Sequence, residues 1–238
     1  MLVSEISLSQ LDGIRLEGLE FCRRTYALFE AIRAQPDGKS RLRMMPTDLE
    51  KKLLEELMPI AKYVQDHHRP GRYFEVKWHA GDQQFDAEVF QAGDYVQHSY
   101  YPAESFIEVT CASHPNDYLM RERLDTEGSA FGYEGLSRVK TGRDKSVDSV
   151  PTSSSIAATI GQFVDILAGA IEKKRAKTYP GRTVLIVRCT LNTGYLPSEW
   201  EQLARAVAGR VEVEPFAEIY FYDATNYFSC QLYPRPAG

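Results

Sequence analysis

The sequence predicts an α/β domain over residues 46–238, preceded by a helical extension over residues 1–45. Three observations carry that reading. Segments with an apolar period near 3.6 alternate with short runs of period two, as helices interleaved with strands require. The longest helical segment is followed by a continuous apolar run, Thr183 to Cys189, which suits a central strand covered on both faces. Turn signals such as Gln35-Pro-Asp-Gly38, Arg69-Pro-Gly-Arg72 and Pro180-Gly181 fall between these segments.

Each element follows from its own pattern. Leu8 to Arg33 reads as an amphipathic helix with Leu19, Cys22, Tyr26, Phe29 and Ile32 on one stripe. Thr47-Asp-Leu-Glu50 is a capping box, its threonine and glutamate placed to satisfy backbone donors reciprocally. The helix it opens carries Leu53, Leu57, Ile60 and Val64 inward, and Pro59 is expected to kink or split it. Three strands come next: Tyr73 to His79, Phe85 to Gln91 and Ser105 to Cys111. The first two are joined by a hairpin-type connection at Ala80-Gly-Asp82, and a tyrosine-rich loop precedes the third. Asn116 to Glu127 reads as a helix stopped at Gly128, and Gly132 to Val150 as a loop or small hairpin. Thr152 to Ser155 cap the long helix Ser155 to Thr178, whose Ile156, Ile160, Phe163, Leu167 and Ile171 point inward. A helix from Ser198 to about Ala208 and two strands, Phe216 to Tyr222 and Tyr227 to Tyr233, complete the chain.

Composition narrows the function classes. A net charge of −5 argues against a sequence-independent nucleic-acid binder, which relies on broad phosphate neutralisation. No run approaches the ~18 apolar residues of a membrane span, and the N-terminus lacks the pattern of a secretory signal. Cys22, Cys111, Cys189 and Cys230 are scattered, without a CxxC pair. Cys111 and Cys189 fall in or beside apolar runs, as buried thiols do, so a cytoplasmic location is expected. Metal-ligand histidine spacings, phosphate-binding glycine loops and a nucleophile elbow are absent from the sequence.

The chemistry-bearing feature is a pair of carboxylates on neighbouring strands. Asp86 alternates with Phe85 and Ala87, and Glu88 shares its face. In the next strand Glu108 and Thr110 share the face opposite Ile107 and Val109. Two carboxylates delivered to one place suit magnesium, which takes hard oxygen ligands and keeps several waters.

The order helix, hairpin, strand, helix, strand around Asp86 and Glu108-Val109-Thr110 resembles the core of the PD-(D/E)XK, or restriction-endonuclease-like, superfamily, over about Leu49 to Val187. The resemblance implies a three-layer α/β core with a mixed central sheet. It implies that Asp86 and Glu108 bind Mg (or Mn), with Glu88 as a further ligand, and that the substrate is DNA, hydrolysed at a phosphodiester. Thr110 stands in the place of the family lysine, where it would offer a hydrogen bond to water or phosphate, and Phe85 stands where proline precedes the aspartate. Lys77, Lys173 and Lys174 are candidates for a displaced cation, and Glu55 resembles an acid that some members place on the preceding helix. Tyr95, Tyr100 and Tyr101, expected near the carboxylates, are candidates either for stacking on bases or for packing under their loop. The missing lysine and the acidic balance favour a catalytically inactive nuclease-like binding or assembly module, whereas retention of both acids favours the enzyme. A third reading is an unrelated α/β domain that forms a homo-oligomer through the striped N-terminal helix.

Overall fold

The computed structural model describes residues 6–141, 144–190, 196–225 and 228–234. A seven-stranded sheet runs in the order β1 (Arg15–Glu17), β2 (Tyr73–Trp78), β3 (Ala87–Ala92), β4 (Glu104–Ser113), β7 (Thr183–Thr190), β8 (Glu218–Asp223) and β9 (Ser229–Leu232). Strands β1 to β4 pair antiparallel, β4, β7 and β8 are parallel, and β9 turns back antiparallel on β8. The parallel step from β4 to β7 needs a crossover. That step contains α6 (Asp117–Thr126), a separate hairpin of β5 (Leu136–Thr141) and β6 (Asp144–Ser149), and α7 (Ile156–Arg175).

Strand alternation divides the core into two. On one face α1 (Gly18–Arg33) and α4 (Met58–His67) pack Phe21, Ile32, Ile60 and Val64 against Val76, Val89, Ile107, Val109, Val184 and Ile186. On the other, α7 and α8 (Pro197–Arg210) pack Phe163, Leu167, Ile171 and Leu203 against Leu185, Val187, Ile219 and Phe221. The unbroken apolar run of β7 has its cause here: successive residues serve opposite layers, and the first five are all buried. The architecture is three-layer α/β with a mixed sheet.

The N-terminal section differs from the single helix expected over Leu8 to Arg33. Leu8–Gln10 is one 3-10 turn, β1 pairs with β2 at Leu16 and Val76, and α1 begins only at Gly18. Gly18 lets that start press against the sheet, since a Cβ there would lie 3.0 Å from Val64 and 3.2 Å from the Phe74 carbonyl. Residues before 46 thus contribute an edge strand and a helix to the shared core, in addition to α2 (Gly38–Met44).

The capping box opens α3 (Asp48–Lys52) as expected, with Glu50 accepting from the Thr47 backbone at 3.2 Å. Between α3 and α4 the chain makes one π turn, Leu53–Leu57. Pro59 comes immediately after, and it has no N–H to offer the carbonyl one turn back; the wider turn absorbs that defect without splitting the helix. Gly132 to Val150 contains the β5–β6 hairpin. Residues 142 and 143 of that segment, and Asn226 and Tyr227 near the expected last strand, lie outside the described residues. Among the described residues no helix is long and apolar enough to cross a membrane.

Candidate functional site

Asp86 sits one residue ahead of β3, where the β2–β3 hairpin opens. Its N–H donates to the Ile107 carbonyl at 2.7 Å, and its carbonyl accepts from the His79 N–H at 2.9 Å. The backbone is therefore fixed between β4 and the end of β2. Its side chain accepts a third bond, from the Val109 N–H to Oδ2 at 2.6 Å. Since Val109 is next to Glu108 in the chain, this bond brings the two carboxylates to one place across the strand pair.

Glu108 is buried and faces α7, the parity expected from the alternation of β4. Its Oε1 accepts from Lys174 Nζ, on the last turn of α7, in a close ion pair. Tyr179, in the segment leading to β7, donates its hydroxyl to the same oxygen at 3.5 Å. From the other side of the sheet edge comes Glu56, in the π turn. Its Oε2 accepts from the buried Trp78 indole N–H at 3.0 Å, and Lys52 lies 3.6 Å from Oε1.

The electrostatics are those of crowded acids. Burial pushes the Asp86 carboxyl up to about 7, and the charges of Glu108 and Glu56 push the same way. The Val109 amide and the Lys174 ammonium oppose that rise and lose. Burial likewise raises Glu56, and it raises the Tyr179 phenol, with Glu108 reinforcing the second effect. Carboxyls driven toward neutrality by burial and like charge occur both at functional sites and in structural networks.

The sequence-predicted residues divide into those that gather here and those that do not. Asp86 and Glu108 meet. Thr110 lies half-buried two residues beyond Glu108 on the same face of β4, and among the described residues its hydroxyl makes no hydrogen bond. Glu88, although it shares the strand parity of Asp86, is drawn toward β2. It accepts from Lys77 at 3.2 Å and lies 2.7 Å from His79 Nε2. Burial would raise its carboxyl, but the His79 and Lys77 hydrogen bonds outweigh that and hold it below the ordinary range. Lys77 is spent in the same pair, and Lys173 is exposed beside Lys174.

Two expectations about neighbours of the site are corrected. Tyr95, Tyr100 and Tyr101 do not border the carboxylates, because β3 carries the chain away from Asp86 for six residues, about 20 Å, before that loop begins. There Tyr95 and Tyr101 meet edge to face, and the Arg72 guanidinium lies 3.5 Å over the Tyr101 ring. The helix acid that acts on Asp86 is Glu56, while Glu55 acts on Cys111 and Arg188.

Lys174 and Glu56 were legible from periodicity. The inward stripe of α7 runs Ile160, Phe163, Leu167, Ile171, and its next place is 174. Glu56 likewise falls beside the inward Leu53 and Leu57. Among the described residues no three His, Cys, Asp or Glu side chains converge to hold a metal ion. Comparison with protein-family models, with curated proteins and with solved structures found no match. The geometry offers a two-carboxylate centre with a third acid behind it and one ammonium in contact.

Proposed function

We propose that this protein is a divalent-metal-dependent nuclease-like enzyme with a restriction-endonuclease-like core, acting on DNA phosphodiesters. The observation that carries the reading is the Asp86 carboxyl, pushed up to about 7 beside Glu108, with Lys174 in contact with Glu108. The chain order supports it: an antiparallel β2–β3–β4 meander comes after a helix, and a helix then leads to β7, parallel to β4.

The donor set fits magnesium or manganese. Asp86 and Glu108 supply hard oxygens, and the mutual repulsion that raises Asp86 is what a divalent cation relieves. When bound, the ion would supply Lewis-acid polarisation of the phosphoryl oxygen and a more acidic water. The chain's own groups do the rest. Asp86 Oδ2 is oriented by the Val109 N–H, so that carboxylate is preset. Lys174 approaches from α7, a helix standing in for the strand position that Thr110 occupies, and on this reading its Nζ, in contact with Glu108, would offset phosphate charge and orient a water.

Magnesium and manganese titrations by calorimetry, with cleavage of linear and single-stranded DNA, test the reading. Asp86→Asn and Glu108→Gln should each weaken metal binding at least tenfold and abolish cleavage while leaving the circular dichroism spectrum unchanged. An identical titration in wild type and Asp86→Asn would sink it. A second reading, a nuclease-derived binding module without catalysis, is favoured by one observation: Lys174 is already engaged with Glu108. Metal binding without cleavage of any DNA form would select it.

A further inference from the structure

On the α1–α4 face, beyond the C-terminal ends of β4 and β7, the structure holds a cavity of about 200 Å³ walled by Arg43, Arg121 and Arg188. A second cavity of about 200 Å³ adjoins it, sharing Met45, Glu55 and Arg121 and adding Lys51. A crevice outside the carboxyl ends of parallel strands is where open α/β sheets place ligands.

The charges there are incompletely matched. Arg188 projects from β7 between Cys111 and Tyr222 on the flanking strands. Among the described residues it has no carboxylate within 4 Å; Glu55 acts on it from farther away. Burial pushes the neighbouring Cys111 thiol up to about 11, so it stays neutral and leaves the guanidinium charge uncancelled. Arg121 Nε lies 3.0 Å from Asp117 Oδ2, yet it is buried without hydrogen-bond geometry to any acceptor. Arg43 gives Nη1 to the Leu124 carbonyl at 2.7 Å and to Asp125 at 3.3 Å, which leaves other donors of its fork free. Ser113 and Thr190, opposite each other in the strand register, add two hydroxyls.

We infer that this crevice binds a phosphate monoester, with Arg188 and Arg121 as its principal contacts. Guanidinium forks match the geometry of oxyanions, and a phosphate dianion offers enough oxygens to engage two arginines and a hydroxyl together. A lone carboxylate would fill fewer of the unspent donors. The π turn gives the crevice a link to the carboxylate centre. Glu55 lines the crevice with Arg188, and the charge of the next residue, Glu56, acts on Asp86, so one helical turn serves both polar sites. The phosphate belongs either to a nucleotide or to the end of a nucleic-acid strand, and its binding does not depend on cleavage at Asp86.

The test is binding, measured by calorimetry and fluorescence anisotropy, of inorganic phosphate, adenosine monophosphate, and one oligonucleotide with either a 5′-phosphate or a 5′-hydroxyl. At least one phosphate-bearing probe should saturate, and Arg188→Gln and Arg121→Gln should each weaken it tenfold or more. Asp86→Asn should bind it as wild type does, which separates this site from the metal centre. A preference for the phosphorylated oligonucleotide assigns the site to strand ends, whereas binding of the small probes alone assigns it to nucleotides. If Arg188→Gln does not fold, Arg121→Gln carries the test. Failure of all three phosphate-bearing probes to bind wild type, or binding unchanged by both substitutions, overturns the inference.

Discussion

Lys174, on the last turn of α7, forms a close ion pair with the buried Glu108 of β4, joining residues 66 apart in sequence. The pair ties a helix of one layer to the strand that carries the candidate metal ligand. It also sets a competition, since the oxygen that Lys174 occupies is one a cation would use.

Lys174→Met should therefore separate binding from turnover. Without the ammonium, Glu108 is free for metal, and magnesium affinity should rise several-fold while DNA cleavage falls at least a hundredfold. In metal-free buffer the variant leaves a buried carboxylate unpaired, at a cost on the order of 3 kcal/mol. Calorimetry, a cleavage assay and thermal melts with and without magnesium read the three effects. Lys173→Met, at an exposed neighbour, should change none of them.

Glu88 provides the complementary control. Its carboxylate is held by Lys77 and His79 on the β2 side, so Glu88→Gln should leave magnesium affinity within twofold of wild type. The partly exposed pair contributes at most about 1 kcal/mol, so the melting temperature should fall by only a few degrees. A tenfold loss of metal affinity would bring Glu88 back into the ligand set.

A separate buried network predicts a pH effect on stability. Glu218 lies under α4, with the Tyr63 hydroxyl 3.3 Å from Oε2 and His67 Nε2 3.7 Å from Oε1. Burial pushes the Glu218 carboxyl from its ordinary 4.5 up to about 7, against the opposing influence of Arg72. A raised acid stabilises the fold below its unfolded value and loses that contribution as pH rises through the folded one. Glu218→Gln imitates the protonated form. It should match wild type below pH 4.5 and be more stable above pH 7, by about 3 kcal/mol at roughly 1.4 kcal/mol per pH unit. His67 works in the opposite sense. Burial lowers it to about 4, so its contribution is present above its ordinary 6.5 and lost as pH falls toward 4. The difference between the two curves, measured by urea denaturation across pH 4 to 8, isolates Glu218. A flat difference would show that Glu218 ionises freely.

Much of this fold was legible because local period and layer burial agree. The apolar run of β7 announced a strand covered on both sides, and the alternation in β4 put Glu108 opposite Ile107 and Val109, as found. The misses have physical causes. β1 is three residues long, too short to establish a period of two against the helical stripe after it. Glu55 came from the family resemblance, whereas the position beside the inward Leu53 and Leu57 that acts on Asp86 is its neighbour Glu56, inside the π turn. The tyrosine loop was near the carboxylates only along the chain, and the direction of β3 carried it to the far end. Lys174 needed the inward stripe of α7 to be extended past its apolar residues, where a charged residue ends an apolar count but continues the same face.

The strongest test of the relation between Lys174 and position 110 is a rescue. Thr110 and Glu108 are two apart on one face of β4, about 7 Å along the strand, within the span of a lysine side chain. Thr110 is half-buried and its hydroxyl has no hydrogen-bond partner among the described residues, so replacing it forfeits no bond. In the Lys174→Met background, the space left by the α7 ammonium lies against the carboxylate that a lysine at 110 would reach. Thr110→Lys in that background should recover most of the lost metal-free stability and at least tenfold of the lost cleavage. Thr110→Met, matched in bulk, should recover neither. Equal behaviour of the lysine and methionine double variants would mean that the ammonium of Lys174 acts through the position of α7 rather than through its charge at Glu108.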